Sequence, residues 1–123
     1  VIVTVDQASA IPPYEQLRTQ LVTMIQSRVL APGAQLPPIR QLAKDLGLAT
    51  GTVQRAYREL EGEGLVVPRG RHGTVVADSA PAIDDRTRVA ELARAAETFA
   101  MEAKHLGAAA DVALTAVRAA LAL

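Results

Sequence analysis

Cysteine and tryptophan are absent, and Tyr14, Tyr57 and Phe99 are the only aromatic residues. Lack of cysteine excludes disulfides and thiolate metal sites, and it fits a reducing, cytoplasmic setting. Scarcity of aromatics means that any core must be built mainly from Leu, Val, Ile and Ala. The chain has 123 residues, which suits one compact domain or a small domain with an appendage. No apolar run approaches the ~18 residues needed to span a bilayer. The opening VIVTV is too short for a signal peptide and lacks its basic flank. Net charge is zero, so no polybasic tail is expected. The charge is nonetheless uneven: residues 1–77 carry eight Lys and Arg against six Asp and Glu, and residues 78–123 carry five against seven. His72 and His105 lie in different segments with no His or Cys at ligand spacing, so neither a metal site nor a cofactor is expected. No nucleophile–base pair or phosphate loop marks an enzyme.

Two proline-bearing stretches divide what is present. ASAIPPY precedes the first helical pattern, and ADSAPAID, residues 77–84, precedes an alanine-rich end. The expected organisation is a first domain over residues 1–77, a linker over 78–84 and a helical tail over 85–123. The first helix is predicted from about Pro13, with Leu17, Leu21, Ile25 and Val29 recurring every four residues until APG at 31–33 stops it. The second, PIRQLAKDLG, has Ile39, Leu42, Ala43 and Leu46 on one face, Pro38 in the first helical position and Gly47 just past its end. The third, TGTVQRAYRELEGEG at residues 50–64, turns Val53, Ala56, Tyr57 and Leu60 inward. So short a connection between the second and third helices outlines a helix-turn-helix. LVV and TVVA then flank PRGRHG, which reads as a hairpin with a basic tip.

The tail carries a narrow seam. Val89, Leu92, Ala96, Phe99, Ala103 and Leu106 alternate spacings of three and four. Gly107 interrupts it, and Leu114, Val117 and Leu121 continue on a second helix. An αα-hairpin of this kind can hardly bury both faces alone, so pairing with a second copy of the chain is expected. The fold class is therefore mainly α with a small β hairpin (α+β): a winged helix-turn-helix followed by a two-helix dimerisation tail.

The third helix starts on small residues, which are poor for helix stability and good for close approach. Its free amides and dipole favour phosphate. Thr50 and Thr52 offer hydroxyls, and Gly51 offers no obstruction. Gln54 can pair with an adenine edge and Arg55 with guanine, while Arg58, one turn on, suits a phosphate. Each residue also has a plain alternative: a surface turn, a solvated helix face, or for Arg40 an ion pair with Asp45 or Glu15. The conjunction of short helix, glycine turn, small-residue helix start and basic wing favours DNA.

IPPYEQLRTQLVTMI and APGAQLPPIRQLAKDLGLATGTVQRAYRELEGEGLVVPRGRHGTVVA resemble the DNA-binding domain of the GntR family of bacterial transcription regulators. The resemblance covers about residues 12–77, and the TVQRAYRELE wording and short tail are similar to the YtrA-type subfamily. It implies a phosphate contact for Arg40 and DNA contacts for Thr50, Gly51, Thr52, Gln54 and Arg55. It also implies wing contacts through Arg69, Gly70, Arg71, His72 and Gly73, and core roles for Tyr14, Tyr57, Leu60 and Leu65. The sequence departs from the pattern at Pro38, where Ser often opens the second helix, and at Val75, where an aromatic is common. It departs again at Ala49, where a capping Ser or Asn is usual, which leaves Thr50 open as either cap or DNA contact.

The function so implied is a homodimeric regulator, a repressor, that binds an inverted-repeat operator and controls transporter genes. The alternative is a protein–protein interaction module that uses the winged helix as scaffold. A tail of about forty residues leaves little room for the few hundred Å³ of a metabolite cavity, so a small-molecule effector stays open.

Overall fold

The computed structural model describes residues 3–123, which form two compact units, the second being Asp84–Leu123. Among the described residues there are five helices and two paired strands. In the first unit, α1 (Pro13–Gln26) opens with proline where no amide donor is required and buries Leu17, Leu21 and Ile25. The chain before α1 is held to it by glutamines one turn apart. Gln20 accepts from the Thr4 amide at 3.1 Å and donates to its carbonyl at 2.6 Å. Gln16 does the same for Asp6 at 2.8 and 2.9 Å. Side-chain amides thus stand in for the neighbour strand that this extended segment lacks.

The end of α1 differs from the expected one. The helix stops at Gln26, and Arg28 takes a left-handed conformation, φ 66°. This reversal throws Val29 outward, 72% exposed, and puts Leu30 into the core instead. A left-handed arginine costs roughly 1–2 kcal/mol. Its guanidinium offsets part of that by donating to the Ala80 carbonyl at 3.0 Å.

The helix-turn-helix consists of α2 (Ile39–Leu46) and α3 (Thr50–Gly62). Pro38 is extended and lies just before α2, not in its first turn. Gly47 closes α2 in the left-handed conformation, φ 67° and ψ 34°, which a side chain would strain. Leu42 and Ala43 of α2 share one core with Val53, Ala56, Tyr57 and Leu60 of α3 and with the α1 stripe. Burial pushes the Tyr57 phenol pKa up, and its hydroxyl donates to the Pro37 carbonyl at 2.7 Å.

The wing pairs β1 (Val66–Pro68) antiparallel with β2 (Thr74–Val76), Val67 opposite Val75. A third extended segment, which no sequence pattern announced, lines the other edge of β2. Gln35 bridges to Val75, Leu36 donates to the Thr74 carbonyl and Val76 to the Ala34 carbonyl, both at 2.8 Å. Beyond the wing, Ala80 is buried and the Ile83 amide donates to the Gln26 carbonyl at 2.7 Å, so the expected linker is anchored to the first unit at these two residues while most of it is exposed.

In the second unit, α4 (Asp85–His105) is followed by α5 (Ala110–Ala120), with Gly107 in the left-handed conformation between them. Asp84 caps α4, accepting from the Thr87 amide at 2.7 Å, and those bonds to Thr87 hold its carboxyl below the usual range. Neither helix has a buried residue. Among the described residues, no helix is long and apolar enough to cross a membrane.

Candidate nucleic-acid interface

The start of α3 fixes the geometry of the first predicted contact. Ala49 is the extended residue before the helix, with no side-chain cap, and Thr50 is already helical. Thr50 therefore does not cap the helix, and its hydroxyl belongs to an exposed first turn. The first helical bond is donated by Thr52, to the Ala49 carbonyl at 3.1 Å, leaving the amides of Thr50 and Gly51 ahead of it. Gly51 has an ordinary negative-side φ, and a Cβ built on it meets nothing within 4 Å. Alanine there would favour the helix by up to about 1 kcal/mol. The fold does not explain this glycine; close approach of a partner would.

Gly51, Gln54, Arg55 and Arg58 are spaced three and four apart, share one face of α3 and are all exposed, while Thr52 at its flank is half-buried. Arg55 is not a free side chain. Its guanidinium lies 3.7 Å from the centroid of the Tyr14 ring, and its Nε is 3.5 Å from Glu59. Tyr14 is thus half-buried on α1 beneath an arginine, and not in the core where the family resemblance put it. Arg18, one turn along α1, bonds Glu63 at 2.7 Å and Glu15 and lies 3.7 Å from Glu59. The bond to Glu15 raises the Arg18 pKa against the opposing effect of burial, and Glu63 adds to the rise. Sequence reasoning missed this network because it joins residues about forty positions apart.

Arg40 is exposed on α2, and neither expected partner holds it. Gln41 donates to Asp45 at 2.7 Å, and Glu15 is bound by Arg18. Instead Arg40 lines an open cleft of about 380 Å³ together with Gly70, Arg71, Gly73 and Thr74 of the wing. This brings the second helix and one side of the wing tip to a common surface. Arg69 and His72 line a different cleft of about 320 Å³, shared with Gln35 and Asp78. The basic wing residues are therefore divided between two sides. The tip itself is a single 3₁₀ turn, Gly70–His72. Gly73 follows with φ 71° and ψ −139°, a backbone conformation that demands glycine whatever it touches.

Of the predicted pairing seam, Val89, Leu92, Phe99, Leu106, Leu114 and Leu121 are large and exposed, and Ala96 is exposed with them. Ala103 and Val117 are half-buried. Among the described residues, no group of His, Cys, Asp and Glu is placed to hold a metal ion.

Comparison with known proteins agrees with this geometry. Residues 13–76 match the family described as bacterial regulatory proteins, gntR family. The chain is 41% identical over 103 residues to the HTH-type transcriptional regulator Rv1152 of Mycobacterium tuberculosis, covering 84% of this chain and 80% of that one. It is 33% identical over 79 residues to the HTH-type transcriptional repressor YtrA of Bacillus subtilis, covering 64% and 61%. Among solved structures, YtrA from Sulfolobus acidocaldarius, a GntR-family transcription factor, superposes with a TM-score of 0.57. It is 32% identical over 80% of this chain and 99% of that one.

Proposed function

The chain belongs to the gntR family of bacterial regulatory proteins, and from that premise we propose that this DNA-binding transcriptional regulator is a homodimeric repressor reading an inverted repeat. The observation that carries the reading is the exposed α3 face of Gly51, Gln54, Arg55 and Arg58, whose glycine has no role in the fold. In this proposal the first turn of α3 enters the major groove, Gln54 and Arg55 read base edges, and Arg58 holds a phosphate. Thr50 and Thr52 contribute hydroxyls beside them. Arg40 and Arg71 grip the backbone from their shared cleft, with Arg69 and His72 reaching it from the far side of the wing.

Dimerisation is assigned to the tail. Exposed apolar side chains at Val89, Leu92, Phe99, Leu106, Leu114 and Leu121 make a helical tail that gains by covering itself with a copy. Two-fold symmetry in the protein then imposes a pseudo-palindromic site. Repression is proposed by similarity to the repressor YtrA. Control of transporter genes is proposed from the YtrA-type resemblance. A cytoplasmic location follows from a DNA partner.

Selection of bound sequences from a random duplex pool, combined with solution mass, tests this. The expected result is an enriched inverted repeat bound by a dimer, with affinity falling steeply as salt rises. Removal of Asp84–Leu123, which leaves the Ile83 anchor intact, should give a monomer with much weaker binding. Complete absence of salt-sensitive DNA binding would overturn the proposal in favour of a protein–protein interaction module.

A further inference from the structure

The contact between Tyr14 and Arg55 joins the framework helix α1 to the exposed face of α3. On α1, Tyr14 and Arg18 are one turn apart; on α3, Arg55 and Glu59 are one turn apart. The two pairs face each other across the interface. Tyr14 lies under Arg55, and Arg18 lies against Glu59. Arg18 is itself held at its far side by Glu63 at 2.7 Å. Glu59 therefore does not swing freely: one carboxylate oxygen is turned to Arg18 at 3.7 Å and the other to Arg55 at 3.5 Å.

We infer that Tyr14 and Glu59 are positioning residues for sequence readout, holding the Arg55 guanidinium in one orientation for the DNA. This rests on the reading of the α3 face as the DNA-contacting surface. An exposed arginine samples many rotamers, and ordering it on binding opposes affinity. Here the tyrosine ring covers one face of the guanidinium plane, while Glu59 engages the Nε edge. The ion pair is made through Nε, so it leaves the Nη groups for the two-bond contact with a guanine edge. Because orientation matters for that planar contact and little for simple charge attraction, the two residues act on specificity more than on bulk affinity.

The test uses the full-length protein and two probes: a duplex enriched by the wild-type chain from a random pool, and an unselected random duplex. Tyr14→Leu should weaken binding to the enriched duplex about fivefold, leaving the random duplex unchanged. Tyr14→Phe keeps the ring and should behave as wild type. In an Arg55→Ala background, Tyr14→Leu should have no further effect. Glu59→Gln provides an arm that does not depend on the ring. Loss of its negative charge should raise binding to the random duplex, yet the ratio of enriched to random binding should fall. If Arg55→Ala leaves both probes unchanged, the α3-face reading fails and the inference fails with it. If Arg55→Ala weakens the enriched duplex but Tyr14→Leu and Glu59→Gln preserve the binding ratio, the inference alone is overturned. It is overturned as well if Tyr14→Leu is equally harmful without Arg55.

Discussion

The Tyr57 hydroxyl of α3 donates to the carbonyl of Pro37, just before α2, at 2.7 Å. This bond ties the inner face of α3 to the start of the other helix of the motif. Tyr57→Phe should destabilise the first unit by about 1 kcal/mol, seen as a lower denaturant midpoint with an unchanged slope. The bond also has a pH signature. Burial raises the phenol pKa from its ordinary 10.0, so the folded chain keeps a proton that the unfolded chain releases. That contribution is full below pH 10.0 and is lost as pH rises through the higher folded value. Tyr57→Phe should flatten the alkaline fall in stability.

Arg28 offers a test in which two substitutions of one residue diverge. Arg28→Ala keeps the left-handed strain and loses the bond to Ala80, so it should cost about 1 kcal/mol. Arg28→Gly loses the same bond and also relieves the strain, so its thermal midpoint should lie close to that of the wild type.

Gly73 lies in the predicted DNA-contacting wing, but its conformation gives it a structural duty. Gly73→Ala should destabilise the wing by roughly 1–3 kcal/mol, the scale of backbone strain at such a position. Hydrogen exchange at the Arg69 amide, which donates to the Gly73 carbonyl at 2.7 Å, reports it directly. Protection there should drop in the variant even without DNA.

Asp84 should make the start of α4 sensitive to acid. Its bonds to Thr87 hold the folded carboxyl pKa below the ordinary 3.8. The stabilisation is therefore present above the unfolded pKa and is lost as pH falls through the folded one. Protection of the Thr87 amide, measured relative to its intrinsic exchange rate at each pH, should fall over that acid window, and Asp84→Ala should remove this change.

Local signals accounted for most of the fold. The stripe of Leu17, Leu21 and Ile25, the stop at Gly47, the inward face of α3 and the β-branched runs of the wing are all repeated or punctuated patterns. What escaped has no local signature. Nothing near Arg28 announces a left-handed arginine, so the four-residue repeat ran on to Val29. Gln35 joins the wing by one bridge, too short to show an alternation. The candidate site follows the same division. Exposure of Gly51, Gln54, Arg55 and Arg58 follows from helical spacing. The stacking of Arg55 on Tyr14 and the split of the wing arginines between two clefts depend on how distant segments pack.

Gly51 gives the most direct test of the claim that the first turn of α3 is shaped for close approach to DNA. Gly51→Leu adds a good helix former in open space, so the thermal midpoint should hold or rise. Fluorescence anisotropy with an enriched duplex should nevertheless show binding weaker by at least about tenfold, the scale of a lost base contact. Unchanged affinity in a variant of equal or greater stability would contradict the account.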